Sequence, residues 1–176
     1  MHIRLATLED IPALRQLIED SVRGLSVTFY SEQQIESALQ DVFGVDTQLI
    51  RDQTYFVAEA DAQIVGAGGW SKRTTLFGGD ASKSDPVDSL LDPDKQPARV
   101  RAFYIHPQWS RRGIGSLILD ACEQAARAGG FSTVELASTL PGVPFYLSRG
   151  YKKGEAIPIP MTSGEQLITY RMTRTL

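Results

Sequence analysis

The chain has 176 residues, 18 Lys and Arg against 21 Asp and Glu, a formal net charge of −3 and 42% hydrophobic residues. That is the balance of a globular protein that buries its own core within a single domain over residues 1–176, and it excludes a disordered chain. The pI near 5.4 argues against a nucleic-acid partner, the single Cys122 rules out an internal disulfide or a Cys-rich metal module, and no apolar run approaches the roughly 18 residues of a membrane span.

The charged start His2-Ile-Arg-Leu lacks the apolar stretch of a signal peptide, so a cytoplasmic location is expected. Met1–Ala6 alternates Ile3 and Leu5 with polar neighbours and reads as a strand. Thr7, with Asp10 three residues on, is placed to cap a helix whose Ile11, Leu14, Ile18 and Val22 share one face. Ser31 and Gln34 repeat the start signal before Ile35, Leu39, Val42 and Phe43. Tyr55–Ala60 and Ile64–Trp70 predict a hairpin around Asp61-Ala62-Gln63, without the Asn-Gly or Asp-Gly pair that would fix its turn type.

Residues 71–97 carry Gly78-Gly79, Asp85-Pro86 and Asp92-Pro93 and little apolar periodicity. So long a connection is expected to be a mobile insertion, either a lid or a disordered excursion. Ala98–His106 reads as a strand, and Ile114, Leu117, Ile118, Ala121, Cys122 and Ala125 as the stripe of a strong helix that Gly129-Gly130 stops. Thr133–Ser138 is the next strand, which makes a βαβ unit with parallel strands. A short helix around Pro144–Ser148 precedes a closing antiparallel pair, Tyr151–Ala156 and Gln166–Thr173.

Arg111-Arg112-Gly113-Ile114-Gly115-Ser116 opens the strong helix. A helix start offers backbone N–H groups without intrahelical partners and the positive end of the macrodipole. Two glycines let a phosphate approach closely and two arginines add charge, so the ingredients are those of a pyrophosphate cradle. The bland alternative is a tight strand-to-helix turn with solvated arginines. The P-loop pattern is absent, and the dinucleotide fingerprint begins at Gly113 and Gly115 but meets Ile118 at its third glycine. Glu135 stands where a ribose-binding acid would fall, so a nicotinamide-dependent oxidoreductase stays as a distant reading.

Ile105-His-Pro-Gln-Trp-Ser-Arg-Arg-Gly-Ile-Gly-Ser-Leu-Ile-Leu119 closely resembles the acetyl-coenzyme A motif of the GNAT N-acetyltransferase superfamily. Phe145-Tyr-Leu-Ser-Arg-Gly-Tyr151 is similar to a second block of that family, and the resemblance extends through the opening segment, the two early helices and the hairpin. It implies an α/β fold with a mixed, mostly antiparallel sheet, a central splayed parallel strand pair and helices on both faces. It further implies acetyl-CoA as acyl donor, with Phe103, Tyr104 and Ile105 offering backbone groups to the pantetheine arm. Arg111, Arg112, Gly113, Ile114, Gly115 and Ser116 would hold the pyrophosphate, and Tyr146 would protonate the departing thiolate. The acceptor would be a primary amine of a small molecule or peptide.

Three positions depart from the family pattern. Ser110 takes the first Arg/Gln position of the glycine motif, Thr139 stands where many members place an asparagine, and Arg99 where some carry a glutamate base. Glu59, Glu135 or ordered water are the remaining candidates for a base. Tyr30 and Trp70 are candidate acceptor contacts, with plain core packing as the competing role for both and for Phe29. His2 and His106 show no ligand spacing, so no metal is expected, and Cys122 reads as a small buried hydrophobe. The alternative function is a catalytically weak or inactive CoA-binding regulatory module of the same fold. A homodimer is left open.

Overall fold

The computed structural model describes residues 1–82 and 88–176. Seven strands form one sheet: β1 (His2–Leu5), β2 (Tyr55–Ala60), β3 (Gln63–Ser71), β4 (Ala98–Ile105), β5 (Thr133–Thr139), β6 (Lys152–Pro160) and β7 (Gln166–Thr175), in the order β1-β2-β3-β4-β5-β7-β6. Every pairing is antiparallel except β4 with β5. Five α-helices accompany it: α1 (Ile11–Ser26), α2 (Glu32–Asp41), α3 (Thr47–Arg51), α4 (Ile114–Ala128) and α5 (Val143–Ser148).

The start signals act locally as their chemistry requires. Thr7 and Asp10 form their capping box, but around a 3-10 turn at Leu8–Asp10, and α1 itself begins at Ile11. Ser31 accepts from the Gln34 amide while Gln34 answers the Ser31 amide at 2.9 Å, so α2 starts where expected. The hairpin reverses through Asp61 and Ala62, both left-handed with φ of 49° and 59°, the two-residue geometry that suits the twist of its strands. Gly130 stops α4 with φ +90°.

Hydrophobic residues bury on both sheet faces. Leu14, Leu17 and Ile18 of α1 join Leu49, Tyr55 and Val57 on one side; Ile114, Ile118 and Cys122 of α4 join Val65, Val100 and Val134 on the other. The α4 stripe is rotated from the predicted one: Leu119 and Ala126 are buried, whereas Leu117 falls on the far side and is 42% exposed. β6 runs on to Pro160 through Pro158; as the terminal strand of the sheet it tolerates missing backbone donors.

Parts of the 71–97 insertion pack against the body. Arg73 bridges to Leu90 and pairs with Asp52 at 2.6 Å, and Gly79 and Asp80 donate to the Val42 and Val45 carbonyls. The expectation of mobility falls partly on residues 83–87, which lie outside the described residues.

Candidate active site

β4 and β5 are paired over two rungs only, Ala98↔Val134 and Arg99↔Glu135. Beyond them β5 continues with β7 as far as Thr139↔Thr169, and β4 continues with β3 as far as Ile105↔Gly66, so the two strands part company. A bulge accentuates this. One residue of β3, Gly68, spans the interval that Ala102 and Phe103 occupy in β4, and Ala102 is left-handed at φ 54°. Tyr55 donates its hydroxyl to the Ala102 carbonyl at 3.1 Å and holds the bulge from beneath.

The gap opens into a cleft of about 740 Å3, walled by β4 from Val100 to Ile105, by β5 from Leu136 to Thr139, by the start of α4 and by α5. Phe103, Tyr104, Ile105, Arg111, Gly113, Ile114, Gly115, Ser116 and Tyr146 all line it. The Ile105 amide is engaged by Ser21 Oγ of α1 at 3.2 Å, so β4 serves the cleft through its other backbone groups.

At one end of the cleft the chain turns into α4. Arg111 at φ 59° and Gly113 at φ 82° are both left-handed, and Gly113 caps the helix without a side-chain acceptor. Backbone N–H groups in such a turn converge on a concavity suited to an anion. A Cβ on Gly113 would have no atom within 4 Å, so the space over the turn is open. A Cβ on Gly115 would sit 3.2 Å from the Phe145 ring, so that glycine lets α5 close against α4. The Arg112 guanidinium lies 4.8 Å over the Trp109 ring at the rim.

Tyr146 belongs to an aromatic string, 6.1 Å from Phe103, 5.1 Å from Phe145 and 5.4 Å from Tyr151 by ring centroids. Burial, reinforced by the neighbouring Cys122, pushes its phenol well above the ordinary tyrosine range, so it holds its proton at neutral pH. Cys122 itself is fully buried and its thiol is likewise pushed up by burial.

Other candidates are placed elsewhere. Tyr30 is a core strut: its hydroxyl donates to the Ile168 carbonyl at 2.7 Å and accepts from the Leu140 amide at 2.8 Å. Trp70 packs on Phe131 in the α4-side core, at 6.1 Å between centroids. Neither is on the cleft wall, because both large rings are needed to fill the layers beside the sheet. Glu59 pairs with Arg4 and His2 at the β1–β2 end of the sheet, and Glu135 is clasped by Arg99 and Arg171, so neither carboxylate reaches the cleft wall. His106 accepts from the Gln108 amide at the start of a 3-10 turn, and no group of three metal-ligating side chains occurs among the described residues. The wall also includes Phe43 just after α2, whose sequence signal is only that of an apolar helix face, and Leu76 and Phe77 in the insertion, which carry none.

Residues 51–153 match the acetyltransferase (GNAT) domain, more than half of the chain, and the protein belongs to that family. Solved structures repeat its fold. A GCN5-related N-acetyltransferase from Rhodopseudomonas palustris is 20% identical, with a TM-score of 0.73 over 99% of this chain and 95% of that one. The PaiA N-acetyltransferase from Thermoplasma acidophilum, crystallised with coenzyme A, is 17% identical, with a TM-score of 0.67 over 99% and 98%. The putative acetyltransferase yncA from Salmonella typhimurium, crystallised with acetyl-CoA, is 16% identical, with a TM-score of 0.60 over 100% and 94%. No curated protein matches the chain at a significant level.

Proposed function

We propose that the protein is an acetyl-CoA-dependent N-acetyltransferase that acts on a primary amine of a small molecule or peptide. The observation that carries this reading is the parting of β4 and β5 after two rungs, with the open end of the gap at the Arg111–Gly113 turn. A thioester donor needs a long slot, an anion seat at one end and a proton source at the reacting end. The unobstructed space over Gly113, the left-handed turn and Arg111 on the cleft wall suit a pyrophosphate, with Arg112 beside them over the Trp109 ring. Two of the three structural neighbours described above were crystallised with coenzyme A or acetyl-CoA, which supports the same donor here.

In this reading residues Arg111 to Ser116 bind the donor's phosphates and the β4 backbone around Phe103 to Ile105 orients its arm. The amine nitrogen attacks the thioester carbonyl carbon, the C–S bond breaks, and the sulfur takes the Tyr146 phenol proton. The nitrogen then releases one proton to solvent and the phenolate regains one, which balances the transfer. No metal takes part in this scheme.

A second reading is favoured by Arg99, which is locked to Glu135 at the position where some relatives carry a base: a CoA-binding module with little or no turnover. One experiment separates the two. Calorimetry with acetyl-CoA should detect binding that Arg112→Glu and Gly113→Asp abolish, and thiol detection should record CoA release with a panel of amines. Binding without release for every amine favours the module; absence of binding removes both readings.

A further inference from the structure

Part of the cleft wall is apolar. α1 contributes Leu25, the loop after it Phe29, α2 and its exit Val42 and Phe43, and the insertion Leu76 and Phe77. These walls are tied together: Gly79 donates to the Val42 carbonyl at 2.9 Å, and Phe43 meets Tyr104 edge-to-face at 6.3 Å.

The formal charges lining the cleft among the described residues are two arginines, Arg101 and Arg111, and the first is balanced by neighbouring carboxylates. Arg101 is buried and its charge is balanced there: its Nε lies 2.8 Å from Asp46, its Nη2 3.6 Å from Asp88, and its Nη1 donates to the Thr75 carbonyl at 2.5 Å. Asp46 is itself fully buried and accepts from the Gln48 and Leu49 amides at the start of α3, so its charge is already spent on structure.

An ammonium group entering such a space would leave water and meet aliphatic carbon, aromatic rings and an already paired Arg101, with no carboxylate on the wall among the described residues. Burying a charge without a paired carboxylate is strongly unfavourable, whereas an uncharged amine loses little and its apolar body gains by leaving water. Resting on the acetyltransferase reading, we infer that the acceptor is an apolar monoamine, aryl or aralkyl, taken up as the free base and seated against Phe29, Phe43 and Phe77. Polycationic amines are the class this wall rejects. The free base brings its own nucleophilic lone pair, so the reaction needs no wall carboxylate to deprotonate it, and the proton released after attack leaves from nitrogen to solvent.

The wild-type protein saturated with CoA is titrated calorimetrically with 2-phenylethanol, an uncharged isostere, and with phenyltrimethylammonium, a permanent cation. Binding of the alcohol alone is expected; equal or tighter binding of the cation, or no binding of the alcohol, overturns the inference. Turnover is compared in parallel, and kcat/KM for 2-phenylethylamine should exceed that for spermidine by about tenfold or more. A preference for spermidine overturns the inference while leaving the acetyltransferase reading intact. Phe29→Asp, at a position 46% exposed where a new carboxylate stays solvated, should narrow that ratio by about tenfold. Failure to bind acetyl-CoA would instead remove the reading on which the inference rests.

Discussion

Arg99 and Glu135 face each other across the last rung shared by β4 and β5, and their side chains close an ion pair at the point where the strands diverge. Arg171 of β7 grips the same carboxylate from the other side. Glu135 is only 6% exposed and Arg99 little more, so this pair is largely desolvated, with Arg171 closing it from the more exposed side. Glu135→Gln would leave the buried Arg99 without its counter-charge, whereas Arg171 is one-third exposed and keeps Glu155, so a loss of about 1–3 kcal/mol is expected. Urea unfolding of the variant should show that loss, and acetyl-CoA affinity should fall with it because the point of divergence sets the angle of the gap.

The helix-start turn makes a separate prediction. Gly113→Ala places a Cβ in open space but on a left-handed backbone, at a cost of about 1–2 kcal/mol. Gly115→Val acts differently, by pushing Phe145 and α5 away from α4. Both should weaken acetyl-CoA binding in calorimetry, and only the second should also disturb the Phe145–Tyr146 aromatic contacts seen by near-ultraviolet circular dichroism.

Tyr146→Phe keeps the aromatic string and removes the proton. We expect kcat to fall by about 100-fold or more with KM for acetyl-CoA changed little, the pattern of a lost general acid. Because burial holds the phenol protonated well past neutrality, no loss of wild-type activity through the neutral range should come from this group.

Acid should unfold the protein partly through Arg4 and Asp10. The Arg4 guanidinium, bonded to Asp10 at 2.7 and 2.8 Å, pulls that carboxyl down to about 2 despite partial burial. The folded value lies below the unfolded one of about 3.9, so the contribution is complete above that pH and is lost as pH falls through about 2. Urea midpoints measured across this window should drop more steeply for the wild type than for Asp10→Asn.

Tyr30→Phe should expose the strut role of that side chain. The Leu140 amide and Ile168 carbonyl would both lose their partner, at a cost of roughly 1–3 kcal/mol. Leu140 begins the turn that leads to α5, so a modest loss of acetyl-CoA affinity should accompany the lower denaturation midpoint.

What sequence discloses here follows the range of the forces involved. Capping at Ser31–Gln34, the stop at Gly130 and the left-handed turn at Gly113 are set by near neighbours, and each is legible from residue type and spacing. α3 was missed because five residues capped by Asp46 give too little periodicity to register. Leu117 and Leu119 are equally apolar, so only the packed sheet decides which of them turns inward. The same holds for the aromatic candidates: Tyr30 and Trp70 carry no local mark that separates a core ring from a cleft ring. Phe77, which does line the cleft, sits in a stretch without pattern, and the backbone beside it is tied by Gly79 and Asp80 to Val42 and Val45, far earlier in the chain.

The two-rung ladder between β4 and β5 has a further consequence. Backbone groups beyond Arg99 that a continuous sheet would pair between β4 and β5 lose that partner. Apart from the Ala102 carbonyl and Ile105 amide, which Tyr55 and Ser21 engage, they would, under the proposed function, let an extended ligand with amide groups of its own act as a guest strand. Recognition of that kind is written in peptide bonds rather than in side chains, and nearly any residue can supply a peptide bond. A site so built can persist while its sequence drifts, which fits a fold shared at a TM-score of 0.73 by chains only 20% identical.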